Sequence, residues 1–190
     1  KSLGLTRPIF LYVGRLIRRK GLRELLHGWE LYVRNSSSTY GSLLLVGEGP
    51  EREVLENIIR EHNLPNVTFA GAVNYDDIAP YYAVCDAFII PTLEDNWSLV
   101  VPEAMACGKP ILCSKYNGCW PELVRQEVNG WVFDPDNSSE LSELLKICRD
   151  HIDRLPTMGK ASQAIVVNFS PKNAAEAIYK ACLIAVNRKN

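Results

Sequence analysis

The chain has 190 residues, 47% apolar and 23% charged, the proportions of a globular protein with room for one substantial core. A formal net charge of −1 predicts no nucleic-acid partner and no attraction to an anionic membrane. No signal-peptide pattern opens the sequence and no run of about 18 apolar residues occurs, which predicts a cytoplasmic protein without membrane contact.

Short apolar runs alternate with amphipathic segments along the chain. Ile9 to Val13 reads as a strand closed by Gly14. Lys20 to Val33 is predicted helical, with Leu22, Leu25, Leu26, Trp29 and Val33 on one face. The polar piece Asn35-Ser-Ser-Ser-Thr39 is a surface loop. It leads to a strand over Ser42 to Val46 and a helix over Glu51 to His62. Val67 to Ala70 is a strand, Asp76 to Val84 a short helix and Ala87 to Ile90 a buried strand. Leu99 to Ala106 is helical, with Ser98 as its N-cap, Gly108 past its end and Pro110 preventing continuation. Then come a strand over Ile111 to Cys113, a small helix over 121–124 and a strand over Trp131 to Phe133. A helix over Ser138 to Arg149 and two more, roughly 156–168 and 172–188, close the chain.

Apolar strands of four or five residues, each separated by a helix, predict an α/β fold: a doubly wound, Rossmann-like parallel sheet of about six strands. With no internal repeat and no long linker, residues 1–190 read as a single unit. Ligands of such sheets bind outside the carboxyl ends of the strands. Cys85, Cys107, Cys113, Cys119, Cys148 and Cys182 form no C-x-x-C pair and mostly sit in apolar segments, so buried free thiols are expected over disulfides. His27, His62 and His151 lack metal-ligand spacing, so no metal is expected.

Two stretches at predicted strand ends carry chemistry. Gly14-Arg-Leu-Ile-Arg-Arg-Lys20-Gly21 is basic without an acid, and reads either as a diphosphate clamp or as a solvated helix start. In Asp95-Asn-Trp-Ser-Leu-Val-Val-Pro-Glu103 one carboxylate stands at the mouth of a helix and the other about one and a half turns in. The N–H groups between them, at Ser98, Leu99 and Val100, carry the positive end of the helix dipole and favour an anion. Glu103 is flanked by apolar residues; it is either a solvent-facing helix charge or an acceptor for a diol. Val46-Gly-Glu-Gly-Pro50 is a weak nucleotide signature, since Arg52 stands where a third glycine would be.

Asp95 to Pro110 resembles E-G-F-G-L-V-x-x-E-A-M-A-C-G-x-P, the E-x7-E signature of retaining GT-B-fold glycosyltransferases of family 4 (the glycosyl transferases group 1). Asp95 stands for the first glutamate and Trp97-Ser98 for Phe-Gly. Glu94 is adjacent, but one residue too far from Glu103. Arg15 and Lys20 fall on the basic positions of the family's G-R-x-x-x-x-K-G motif, whereas Arg18 and Arg19 do not and are expected at the surface. Asn117 to Val124 and Glu127 to Gly130 read as a loop, short helix and turn similar to the segment G-G-x-P-E-L-V-x-x-G-x-N-G that rims the donor site, with Trp97, Tyr116 and Trp120 as pocket lining or as packing.

The resemblance runs from Pro8 to about Tyr179 and implies the carboxyl-terminal half of a GT-B fold, the domain that binds a nucleotide sugar. By the same resemblance, Lys1 to Arg7 would be a linker remnant and the acceptor-binding amino-terminal domain would be absent from these 190 residues. It further implies that Arg15, Lys20 and the helix end stabilise the departing nucleoside diphosphate, that Asp95 orients the sugar and Glu103 the ribose, and that Gly14 and Val73 approach the donor. Neither metal nor other cofactor is implied beyond the nucleoside-diphosphate sugar. The alternative is a catalytically inactive donor-like domain, kept as a nucleotide-binding or assembly module.

Overall fold

The computed structural model describes residues 4–36 and 39–187. Lys1 to Leu3 of the expected linker, the middle of the polar loop and the last expected helical residue, 188, lie outside the described residues. Strands β1 (Ile9–Val13), β2 (Ser42–Val46), β3 (Val67–Gly71), β4 (Ala87–Ile90), β5 (Ile111–Ser114) and β6 (Gly130–Phe133) form one six-stranded sheet in the order β3-β2-β1-β4-β5-β6. Every pairing is parallel, as in Leu11 opposite Leu44 and Ile89 opposite Leu112. The predicted doubly wound α/β fold is what forms.

Parallel strands need both faces covered. Helices α1 (Leu22–Arg34), α2 (Arg52–Glu61) and α6 (Ser138–Asp150) pack together through α1. Helices α4 (Val100–Ala106), α5 (Trp120–Leu123) and α7 (Leu155–Val166) pack together through α7. The short α3 (Ala79–Val84) precedes β4, and α8 (Pro171–Asn187) follows α7. Between the layers Phe10, Leu11, Tyr12, Leu43, Leu44, Leu45, Phe88, Ile89 and Ile90 are wholly or almost wholly buried. Trp29 anchors α1, its ring edge-on to Phe10 at 6.0 Å and its Nε1–H donating to the Pro65 carbonyl at 3.1 Å.

Winding proceeds outward from β1 to β3, then returns to lay β4 on the other side of β1. The chain therefore reverses direction between β1 and β4, and a crevice opens outside the carboxyl ends of these two strands.

Some element boundaries differ from expectation. Arg18–Lys20 is a 3₁₀ turn and α1 begins only at Leu22, because Gly21 takes φ +70°. A Cβ at Gly21 would stand 1.9 Å from the Pro91 carbonyl oxygen, so no other residue fits there. The helix expected over 76–84 is a 3₁₀ turn, Tyr75–Asp77, followed by α3 with Pro80 in its first turn. All six cysteines are free; Cys85, Cys113, Cys119 and Cys148 are buried, and Cys107 and Cys182 are exposed. Helix α8 has no buried residue and leaves Ile178, Tyr179, Leu183, Ile184 and Val186 exposed. No helix among the described residues is long and apolar enough to cross a membrane.

Candidate functional site

The segment after β1 is fixed from both sides. Toward β2, Gly14 N–H donates to the Val46 carbonyl and Leu16 N–H to the Glu48 carbonyl, each at 3.0 Å. Glu51 N–H returns a bond to the Leu16 carbonyl at 3.0 Å. A Cβ at Gly47 would lie 1.9 Å from the Gly14 carbonyl oxygen. The glycines of Gly47-Glu48-Gly49 therefore admit the neighbouring loop of this chain. Toward β4, Leu93 N–H and the Thr92 hydroxyl both donate to the Arg19 carbonyl, at 2.8 and 2.9 Å, and Arg19 Nη1 donates to the Glu94 carbonyl at 3.1 Å. Tyr12, wholly buried beneath, donates its hydroxyl to the Arg15 carbonyl at 3.0 Å.

These ties bring Lys20 against Asp95. The two form an ion pair whose side chains are only 15% and 12% exposed. Ser98 Oγ donates to the same carboxylate oxygen, Oδ2, at 2.5 Å, and accepts from Asn117 Nδ2 at 2.9 Å. Burial pushes the Asp95 carboxyl up, but the hydrogen bonds from Lys20 and Ser98 and the ammonium's charge outweigh it, holding the group below the usual carboxylate range. Main-chain bonds lock the loop to its neighbour: Gly118 N–H to the Asp95 carbonyl at 2.8 Å and Asp95 N–H to the Tyr116 carbonyl at 3.3 Å.

The expected N-cap at Ser98 is not made. Leu99 occupies the cap position with helical dihedrals and no side-chain cap bond. A carboxylate is a stronger partner for a hydroxyl than a helix N–H, and Asp95 takes it. Val101 N–H bonds back to the Ser98 carbonyl at 3.0 Å, so helical bonding starts beyond Val100.

A cavity of about 350 Å³ opens at the switch point, walled by Gly14, Arg15, Lys20, Asp95, Ser98, Leu99 and Val100, with Arg19 and Trp97. Arg19, exposed as expected, also contributes to the wall, while Arg18 pairs with Glu24 at 2.6 Å. A second cavity of about 250 Å³ shares Gly14 and Arg15 and is closed by Glu48, Val73 and Ile78. Glu103 walls neither. Its half-buried carboxylate accepts the Tyr82 hydroxyl at 3.0 Å, between α3 and α4. Tyr116 is exposed beneath the Lys115 ammonium, 4.8 Å from its ring centre, and Trp120 donates Nε1–H to the Lys115 carbonyl at 3.0 Å, so both pack at the rim. A larger cavity of about 590 Å³ lies at the other end of the sheet, among the segments entering β1, β4 and β5. Among the described residues no group of three His, Cys, Asp or Glu side chains is placed to hold a metal.

With this geometry in view, residues 1–163 match the family model described as glycosyl transferases group 1. The chain belongs to that family. A GDP-mannose-dependent monoacylated alpha-(1-6)-phosphatidylinositol monomannoside mannosyltransferase of Corynebacterium glutamicum is 30% identical over 87% of the chain and 45% of its own length. Sucrose-phosphate synthase from Thermosynechococcus elongatus superposes with a TM-score of 0.79 at 28% identity, over 94% of this chain and 46% of that one. The Anabaena protein HepE, solved in complex with UDP-glucose, superposes with a TM-score of 0.75 at 26% identity, over 90% of this chain and 49% of that one. This group 1 chain spans under half the length of the curated relatives it matches.

Three participants escaped the sequence reading. Tyr82 gives no signal because it meets Glu103 across 21 positions of chain. Asn117, wholly buried, looked like part of a rim loop. Arg19 lay off the family motif, and only the fold of the 92–95 loop brings it in.

Proposed function

We propose that this chain is the donor-binding part of a glycosyltransferase that moves a hexose-type sugar from a nucleoside-diphosphate sugar to an acceptor with retention of anomeric configuration, as in family 4. The observation that carries the reading is the meeting of Arg15 and Lys20 with the start of α4 at one cavity on the switch point. Two cations beside the start of α4 at Leu99 and Val100 suit a diphosphate, and they would stabilise its charge as it leaves. The reading needs no metal, since these groups supply the countercharge. Asp95 would orient the sugar, Glu103 the ribose hydroxyls, and Gly14 and Val73 would line the path of the nucleoside. HepE holding UDP-glucose on a similar fold supports a nucleotide sugar as partner.

An acceptor-binding domain would complete the enzyme, with Lys1 to Arg7 leading from it; the exposed apolar side of α8 is consistent with further protein beyond this unit. A cytoplasmic setting and a part in polysaccharide synthesis belong to the same proposal. The 190 residues alone are expected to bind donor without transferring sugar.

Titration calorimetry with UDP and GDP tests the reading. Binding of one of them, weakened about tenfold or more by Lys20→Ala, is the expected result. Absence of heat from every nucleoside diphosphate removes it. The alternative, a donor-like module without catalysis, draws on one observation: Asp95 Oδ2 is already engaged by Lys20 and Ser98. An inactive full-length enzyme that still binds nucleotide would favour it. Undiminished transfer by an Asp95→Asn enzyme would instead take Asp95 out of the mechanism.

A further inference from the structure

Two departures from the family motif meet in space. Aspartate for glutamate at position 95 shortens the carboxylate arm by one methylene, and serine for glycine at position 98 adds one hydroxyl. That hydroxyl lies 2.5 Å from the shortened carboxylate. A serine hydroxyl can rotate, so its direction needs a cause. Asn117 supplies one, because Nδ2 donates to Ser98 Oγ at 2.9 Å, and the hydroxyl proton must then point elsewhere. The Asn117 amide is itself oriented, its Oδ1 accepting Cys119 N–H at 3.3 Å. Turning the amide over would oppose donor to donor at Cys119.

The bonds therefore run one way: Cys119 N–H to Asn117, Asn117 to Ser98, Ser98 to Asp95 Oδ2, where the Lys20 ammonium also ends. Ser98 is 5% exposed and Asn117 is wholly buried, so water has little access to the bond between them. Lys20 has a flexible four-carbon stem and would otherwise sample many rotamers at the cavity wall.

We propose that Ser98 and Asn117 are positioning residues of the donor site, holding the shortened Asp95 arm and, through it, the Lys20 ammonium where the distal phosphate arrives. The inference rests on the donor-binding reading above. Asn117 lines neither cavity, and its side chain reaches Asp95 through Ser98. Ser98 and Asp95 form one unit, since the Ser98 hydroxyl and the Lys20 ammonium meet on the same carboxylate oxygen.

Two measurements on the 190-residue chain test this. Carbon-detected NMR titration of the Asp95 carboxyl, which needs no nucleotide, should show its pKa raised by Ser98→Ala. Calorimetry should show UDP affinity falling about fivefold in Ser98→Ala and in Asn117→Ala, with UMP affinity changed less than about twofold. Combining the two substitutions should cost little more than either alone, because they break one chain. The pair Asp95→Glu with Ser98→Gly should recover UDP affinity that Ser98→Gly alone loses. An Asp95 titration unmoved by Ser98→Ala overturns the proposal, as does equal weakening of UMP and UDP. Should the unaltered chain bind neither nucleotide, the donor-binding reading fails and with it the site this proposal serves; the titration would then show only whether the hydrogen bonds hold Asp95. Melting temperatures within a few degrees of the parent confirm that the variants fold. Should Asn117→Ala not fold, Ser98→Ala and the double variant Asp95→Glu with Ser98→Gly decide alone.

Discussion

Tyr82 donates its hydroxyl to Glu103 Oε2 across 3.0 Å, joining α3 to α4. Burial, then the neighbouring carboxylate, pushes the phenol above its ordinary range. The bond leaves Glu103 oriented, with lone pairs to spare for a diol. Tyr82→Phe should cost about 1 kcal/mol of stability in urea unfolding and weaken nucleotide binding several-fold. Unchanged affinity alongside lost stability would mean that Glu103 serves the α3–α4 contact and not the ribose.

The Lys20–Asp95 pair gives stability a definite acid dependence. The Asp95 carboxyl is depressed in the folded protein relative to about 3.9 in the unfolded chain. The unfolded state thus binds the proton more readily, and the pair's contribution is complete above about pH 4 and is lost as pH falls through the folded value. Urea midpoints measured down to pH 3 should show this loss in the parent and a flatter acid limb in Asp95→Asn.

Gly21→Ala should be among the most damaging single changes outside the core. The left-handed dihedral costs an alanine about 1 kcal/mol, and its methyl would meet the Pro91 carbonyl at 1.9 Å, which the backbone must move to relieve. A loss of about 2 kcal/mol or more by chemical denaturation is expected. Because Lys20 precedes this turn and Pro91 precedes the Thr92–Asp95 loop, nucleotide affinity should fall with it.

Away from the site, Asp86 gathers the entry to the sheet. It accepts Ile9 N–H at 2.7 Å and pairs with Arg7, whose Nε lies 3.0 Å away, while only 7% of its side chain is exposed. Asp86→Ala leaves a strand N–H and a guanidinium without their acceptor, and about 2–3 kcal/mol should be lost in urea unfolding. Asp86→Asn keeps an acceptor for Ile9 and should lose less. Neither change should alter nucleotide selectivity.

Strand runs such as Ile9 to Val13 and Ala87 to Ile90 were legible because parallel strands buried on both faces are continuously apolar. Their alternation with helices was enough for the doubly wound sheet. Motif spacing placed Arg15, Lys20, Asp95 and residues 98–100 at strand ends, and the fold brings them to one cavity. Competition between partners was not legible. Ser98 has the residue type and place of an N-cap, yet a carboxylate three residues back outcompetes the helix N–H groups. Lys20 looked helical by periodicity until Gly21, pressed on Pro91, forced a break. Tyr82 and Asn117 act through contacts that no local pattern encodes.

Lastly, the turn after β2 bears the segment after β1 on its back. Leu16 is clasped between Glu48 and Glu51, with glycine at 49 because a Cβ there would stand 2.3 Å from the Leu16 carbonyl oxygen. The stretch carrying Arg15 is therefore no free arm closing on an incoming ligand; it is set when the sheet forms. Evolution can retune reach or charge at positions 15 and 20 one residue at a time, but a change of path there obliges a simultaneous change at 47 and 49, which ties the inheritance of two loops together.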